Sequence, residues 1–537
     1  MSRSKLIKAF SVVLFLFVVY SAKAQQTFIP LQQEYSRLIE REAIKQNLAI
    51  HSSLKPYLQS EVAEQFSYDS LLAGRYSNTS RKEHSWILRK LYQEHLLQYK
   101  DSTTGLYADL LMDFTFGKEL GQGYLFTNTR GAQVQGNLGK HFSFYTAFYE
   151  NQSKLPDYLD KNVKERGVVP GQGKARSNGE GFDYAIPYGY ISYTPNKTFN
   201  IQFGQDKNFL GDGYRSLILS DYAYSYPFLK INTRFWKIKY TNLWTQYMDI
   251  SKGFQGSSYP KKYAAYQYLS FLPTPELNVS IFQSLIWAAD STGNGAFEPA
   301  FLNPIIFMNS LNFNMGSPAN SMMGLNIRYN LFRQFSFYGQ FVLDDFNVGK
   351  LKQGNGFFQQ KFGYQMGLKA FDIFGLSNLY AQVEYNTVRP YVYAHKIPSL
   401  NNTHYNEPLA HPLGANFKEL IAIGSYRYRR FSLDAKLNYA AYGADATINE
   451  HNGKNIFLSD YDAPNGELSF GNYTGQGTKT KLYHFSSSLN YLMNPHTGLK
   501  VEAGFAYRKE ASAIVNTNTQ LFYFGVKTNL RNRYYDF

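Results

Sequence analysis

From Leu106 onward apolar residues recur at every second position. In LYADLLMDFTF, Leu106, Ala108, Leu110, Met112, Phe114 and Phe116 fall on one side of an extended chain, and Tyr107, Asp109, Asp113 and Thr115 fall on the other. A period of two with one apolar face predicts a strand between two different environments. Two carboxylates on the inner face, Asp109 and Asp113, fit a wet lumen and not a dry sandwich core, so both are expected to face the lumen. The last such segment, Gln520 to Phe537, sets Phe522, Phe524, Val526, Thr528 and Leu530 against Tyr523, Gly525, Lys527, Asn529 and Arg531. It reads as a closing strand, and its terminal Tyr534-Tyr535-Asp536-Phe537 reads as an insertion signal.

Strands are predicted near residues 105–117, 123–138, 141–150, 183–195, 198–207, 229–236, 238–249, 261–272, 276–288, 322–331, 335–346, 361–370, 377–388, 418–428, 431–442, 482–493, 497–508 and 519–530. That makes eighteen, an even number, as bacterial barrels require. Connections alternate in length. Gly139-Lys140, Pro195 to Lys197, Pro273 to Pro275, Leu331 to Gln334, Phe371 to Asn378, Arg429-Arg430 and Pro495 to Gly498 are short. Asn151–Phe182, Lys207–Phe228, Ala289–Met322, Arg389–Phe417 and Gly443–Lys481 are long and rich in Gly, Pro, Asn and Asp. Short periplasmic turns and long outer loops are the mark of an outer-membrane barrel. Phe235-Trp236-Lys237 is taken as a turn although it holds no turn residue, so counts of 16 or 20 stay open. The expected fold is an all-β transmembrane barrel of about 18 antiparallel strands occupying 105–537, with both termini periplasmic.

Residues 25–104 read differently. Leu31, Tyr35, Leu38 and Ile39 recur at helical spacing, and Trp86, Ile87, Lys90, Leu91 and His95 do so again, with Ser80 or Ser85 as a start and a break at Pro56. A small periplasmic helical module at the barrel mouth is expected. Before it, Arg3, Lys5 and Lys8 precede an apolar run from Ala9 to Tyr20 and the small residues Ala22 and Ala24. This is the pattern of a secretory signal peptide, 1–24, cleaved after Ala24.

Composition narrows the class. Aromatic residues make up 17% of the chain, with 46 Tyr and 43 Phe, a supply that two interfacial girdles and a Tyr-lined lumen would use. Mean hydropathy is −0.39, and after the leader no apolar run is long enough for a membrane helix. With 0 Cys there is no disulfide, thiolate metal site or lipidated Cys. The net charge of +15 falls by four to +11 when Arg3, Lys5, Lys8 and Lys23 leave with the leader. Outer-membrane lipid and lipopolysaccharide phosphates, together with acidic surface polysaccharide, are the partners expected of an exported basic protein; nothing in the chain suggests nucleic acid.

Candidate chemistry is sparse. Gly167 to Ala175, GVVPGQGKA, lacks the spacing and the Ser or Thr of a phosphate-binding loop and is taken as a Gly-rich outer loop. His395, His404 and His411 share one loop with Glu407, at intervals that match no compact metal site. No GxSxG motif and no visible nucleophile–base pairing argues for catalysis. No cofactor is expected. What remains is aromatic: Arg389, Tyr391, Tyr393, His395, His404, Tyr405, Asn406 and His411 combine ring faces with polar hydrogen-bonding groups and are the candidate glycan-binding residues; the histidines read as solvated or glycan-facing loop groups, and the tyrosines equally suit girdle anchoring and loop packing.

Longer runs resemble a known family. FGQDKNFLGDGYRSLILSDYAYSYPFLKINTRFWKIKYTNLW (203–244), FEPAFLNPIIFMNSLNFNMGSPANSMMGLNIRYNL (297–331), YGQFVLDDF (338–346), KFGYQMGLKAFDIFG (361–375), NLYAQVEYNTVRPYVYAHKIP (378–398) and LAHPLGANFKEL (409–420) are similar to the Wzi-like capsule-assembly outer-membrane barrels and, within them, to a gliding-motility branch from Bacteroidetes. The resemblance implies an eighteen-stranded barrel with a periplasmic helical bundle. It also implies a non-enzymatic role at the cell surface, in capsule attachment or gliding motility, with polysaccharide, adhesin or motility proteins as partners. A general diffusion porin is the alternative reading.

Overall fold

The computed structural model describes residues 27–65, 85–101, 103–253, 258–288, 299–308, 319–344, 349, 352–447, 450–462 and 470–537. The expected signal peptide and Ser80 lie outside the described residues. Eighteen antiparallel strands close into one barrel. In chain order they are β1 (Gly105–Glu119), β2 (Gly123–Leu138), β3 (Phe142–Lys154), β4 (Phe182–Tyr193), β5 (Phe199–Asp206), β6 (Tyr226–Phe235), β7 (Ile238–Met248), β8 (Lys261–Phe271), β9 (Leu277–Ala288), β10 (Asn320–Leu331), β11 (Phe335–Asp344), β12 (Phe362–Phe371), β13 (Leu379–Val388), β14 (Phe417–Tyr428), β15 (Phe431–Ala444), β16 (Thr478–Asn494), β17 (Leu499–Ala511) and β18 (Asn516–Lys527).

Each strand pairs with the next, and β18 returns to β1, with Leu521 opposite Glu119 and Lys527 opposite Asp113. The doubtful turn is real: Phe235 pairs with Ile238, and Trp236 takes φ 53° to close a tight hairpin without Gly or Pro. Alternation sorts the side chains as a barrel wall requires. Phe148, Ile191, Phe203, Met366, Leu437, Leu489 and Phe524 point outward and are exposed, whereas Asn200, Gln202, Asn278, Asn326, Gln340, Glu384, Glu419 and Asn438 are buried on the inner side. Among the described residues no helix is long and apolar enough to cross a membrane.

The closing strand is shorter than its pattern predicts. It ends at Lys527, and one further link, Thr528 N–H to Met112 O at 2.9 Å, precedes the turn of 529–537 into the lumen. Charge explains the departure. Arg531 reaches Asp206 at 2.6 Å, Arg533 reaches Asp113 at 2.8 Å and Asp536 reaches Lys436 at 2.7 Å, so the tail's ionic groups find partners on the walls that they would lack in lipid.

The expected N-terminal helices are present, the second shorter than its pattern. Helix α1 (Gln33–Gln46) buries Tyr35, Leu38, Ile39, Ala43 and Ile44 and stops at Asn47, which is left-handed at φ 54°. It lies across the short-turn end of the barrel: Arg41 meets Asp372 at 2.7 Å in the β12–β13 turn, and Glu34 meets Arg427 at 2.8 Å. Glu40 is buried between Lys55 at 3.1 Å and Lys369 at 2.6 Å. Burial opposes its ionisation, but the two ammonium groups outweigh burial and hold the carboxyl down at about 2. The chain then enters the lumen, where Leu54-Lys55 pairs with Phe209-Leu210 as a small inner sheet. The second helical pattern forms only Trp86–Tyr92; the following Leu97–Lys100 is a strand paired with Gly105–Ala108.

Candidate functional site

Four segments pack across the lumen: the N-terminal stretch, the β5–β6 connection, the β13–β14 connection and the tail. Arg215, from the β5–β6 connection, joins the tail to the wall. Its guanidinium lies 3.1 Å from Glu419 on β14 and 3.1 Å from Asp536 on the tail, and stacks on Tyr214 and Tyr534 at 4.9 and 5.6 Å. Glu384 on β13 accepts the backbone N–H groups of Tyr214 at 2.6 Å and Arg215 at 3.0 Å, and the Tyr338 hydroxyl at 2.8 Å. Burial alone would lower the Arg215 pKa, but Asp536 and Glu419 raise it well above the usual value; Asp536 in turn is held well below the carboxylate range because Arg215 and Lys436 outweigh its burial. These charges brace the interior around Arg215.

The same packing corrects the expectation that the loop histidines are solvated, at His404 and His411, and gives Tyr391 and Tyr393 a packing role. His411 is fully buried, with its Nε2 2.7 Å from Glu419. His404 is buried and accepts the Met248 N–H at 3.0 Å; burial depresses it to about 3, so it is neutral. Tyr391 and Tyr393 are buried in left-handed conformation at φ 67° and 70°, their hydroxyls donating to His451 O at 3.0 Å and Leu217 O at 2.8 Å. The physical reason is apolar content: Tyr391, Val392, Tyr393 and Ala394 form an unbroken buried run that folds inward over the core. Asp109 accepts from His95 at 2.7 Å and from Leu96 N–H at 3.0 Å, and Asp113 pairs with Arg533.

Arg389, His395, Tyr405 and Asn406 keep partial exposure, but not as one cluster. Arg389 donates to Gln360 O at 2.8 Å and Asn472 O at 3.0 Å and stacks on Phe362. Tyr405 and Asn406 belong to a separate patch on the long-loop face. The Tyr405 ring sits 4.8 Å from Tyr224, centroid to centroid, and Asn406 exchanges hydrogen bonds with Arg166 at 2.9 and 3.0 Å. Lys174 donates to the Tyr259 hydroxyl at 2.8 Å. Two half-buried tyrosine rings beside an amide and two cations present flat apolar faces with donors at their edges, the chemistry that matches a sugar ring and its hydroxyls. Beneath the patch Glu407 accepts the N–H groups of Gly171 at 2.6 Å and Tyr224 at 2.9 Å. Tyr224, Tyr259, Arg166 and Lys174 are dispersed over three connections, so no local motif marks them. Among the described residues no group of three or more His, Asp or Glu is placed to hold a metal.

The fold is thus a closed eighteen-stranded antiparallel barrel with chain segments packed across its lumen. The chain belongs to the capsule assembly protein Wzi family, whose model matches residues 113–520. Among solved structures it is similar to Escherichia coli Wzi, an outer membrane protein involved in group 1 capsule assembly and a carbohydrate-binding β-barrel; identity is 13%, coverage is 94% of this chain and 100% of that one, and the TM-score is 0.56. OprD from Pseudomonas aeruginosa aligns at 11% identity over 79% of this chain and 94% of its own, with a TM-score of 0.42. OccAB4 from Acinetobacter baumannii aligns at 9% over 80% and 98%, also at 0.42. No curated protein matches the chain.

Proposed function

We propose that this protein is a non-enzymatic outer-membrane barrel that holds surface polysaccharide through its long-loop face, serving capsule attachment or RemB-type gliding motility. In this reading the leader 1–24 is removed, the short turns and both termini are periplasmic, and the long loops face outward. Outer-membrane lipid and lipopolysaccharide surround the wall. Polysaccharide, adhesin or motility proteins meet the loops.

The observation that carries the reading is the Tyr224–Tyr405 pair flanked by Arg166, Asn406 and Lys174, presented by a barrel whose lumen is crossed by four packed segments. Family membership supports it. Tyr405, Asn406, Arg389 and His395 are the proposed contact residues, and Tyr391, Tyr393, His404 and His411 support the loops from beneath.

Glycan-array binding by the refolded protein, compared with a Tyr224→Ala/Tyr405→Ala variant, tests the reading. Selective capture of an acidic or neutral glycan that the double variant loses is the expected result. A deletion strain with normal surface polysaccharide, adhesion and colony spreading would refute it. Planar-bilayer recordings address the porin alternative: a large ohmic conductance from the intact protein would favour diffusion over attachment.

A further inference from the structure

The other end of the barrel holds a cavity of about 610 Å³, within the size range of small-ligand sites. It lies between the starts of β1 and β3, the end of β2, the β16–β17 turn and the N-terminal stretch, and the exposed Gln98 places its mouth at the short-turn rim. This is remote from Tyr405 and independent of the reading given above for the loop face.

Its chemistry is unlike that of the lumen centre. Among the described residues none that lines it is Asp or Glu. Gln98, Gln133, Gln135 and Asn137 supply amides, groups that carry both donors and an acceptor, with the Gln133 oxygen accepting from the Tyr145 hydroxyl at 3.2 Å, and Tyr107 supplies a ring face. The nearby carboxylate, Asp109, is turned to His95 and the Leu96 N–H. Of the two cations that line it, Arg531 is taken up by Asp206 at 2.6 Å and stacks on Tyr145 at 5.1 Å, while Lys100 is exposed at the rim, where water solvates its charge. The neighbouring 370 Å³ cavity makes the contrast, because Glu34, Asp113, Asp434 and Glu502 line it among lysines and arginines.

Amides in numbers, a tyrosine face and no unpaired carboxylate suit a ligand that is polar, uncharged and rich in hydroxyls. We infer that the cavity beside Gln98, Gln133 and Gln135 is a second binding site, for a short neutral oligosaccharide approaching from the short-turn side. The amides would pair with ring hydroxyls, while Tyr107 covers an apolar face of the sugar.

The test is titration of the full-length refolded barrel with maltotetraose and with chitotetraose by calorimetry. Saturable binding of at least one is expected, weakened about tenfold by Gln98→Ala or Tyr107→Ala, as loss of one or two hydrogen bonds or a ring face predicts. Gln135→Trp, which fills the space, should abolish binding, with heat-modifiable gel mobility checking that the barrel is closed. Gln98 is exposed, so its variant keeps the test valid should Gln135→Trp misfold. Absence of saturable binding to the unmodified protein at about 10 mM sugar would overturn the inference. So would binding that survives these changes but is lost in Tyr405→Ala.

Discussion

Arg215 and Asp536 lie 3.1 Å apart with side chains only 1% exposed, and they join the β5–β6 connection to the tail at the centre of the lumen. Each belongs to a segment that could otherwise leave the barrel. Glu419, on the wall, shares the same guanidinium at 3.1 Å and anchors both to β14.

Removing the cation should therefore open the interior. Arg215→Ala leaves Asp536 and Glu419 buried without their shared partner, a loss of about 3–5 kcal/mol. The expected outcome is a rise in single-channel conductance over the unmodified protein in planar bilayers, with the tail newly sensitive to protease.

Glu40 makes a parallel prediction for the N-terminal stretch. Its carboxyl, held at about 2 against an ordinary 4.5, contributes stability that is full above pH 4.5 and is lost as pH falls towards 2. Glu40→Gln should strand Lys55 and Lys369, expose α1 to limited proteolysis at neutral pH and flatten the acid dependence. The cleavage rate at residues 33–46, followed from pH 7 to about 3, measures both effects.

His404 sets an acid response on the loop side. It is buried neutral with a pKa near 3, whereas an unfolded histidine binds a proton below about 6.5. Stability from this group is full above 6.5 and declines as pH falls towards 3. Glu407 acts oppositely, because burial pushes it up to about 7: the folded chain keeps a proton between 4.5 and 7 that the unfolded chain gives up, so its contribution falls as pH rises through that window. Hydrogen exchange of 403–408, corrected for intrinsic rates, should lose protection below pH 6.5 more steeply in Glu407→Gln, and less steeply in His404→Gln.

The glycan binding proposed for the loop face should depend on salt only where the glycan is acidic. Arg166 and Lys174 are close to the surface, so raising ionic strength shortens their reach to about 10 Å at 0.1 M and less beyond. Tyr405→Ala should weaken acidic and neutral glycans alike. Lys174→Gln should weaken acidic ones alone, and titrations at two salt concentrations separate the two contributions.

The wall was legible in the sequence because alternation is a local signal. Leu106 to Phe116 shows its two faces within eleven residues, and loop lengths supplied the topology. Trp236 was found by position alone, since nothing in Phe235-Trp236-Lys237 announces a left-handed turn. The interior was less legible. Arg215 meets Glu419 and Asp536 across sequence distances that no pattern spans. Inward-facing charges within strands, such as Glu384 between Val383 and Tyr385, did carry a hint that the lumen has ionic partners to satisfy. Tyr391 and Tyr393 misled because tyrosine suits both a sugar and a core; the uninterrupted run Tyr391-Val392-Tyr393-Ala394 was the clue to burial. The end of the last strand could not be read from period two alone, because Leu530 preserves the rhythm after the chain has left the sheet.

Below the end of β18, the edge of β1 is covered by Leu97–Lys100, which pairs with Gly105–Ala108, while β18 itself covers Asp113 to Glu119. The seam is thus shut by two separate pieces of chain that approach each other along one edge. A closing strand that slid further down β1 would run into the hairpin after four residues, at Ala108, so the hairpin is a mechanical stop. It limits the register at the one joint where first and last strands meet, a joint whose stagger enters the shear of the wall into which every lumenal segment has to fit.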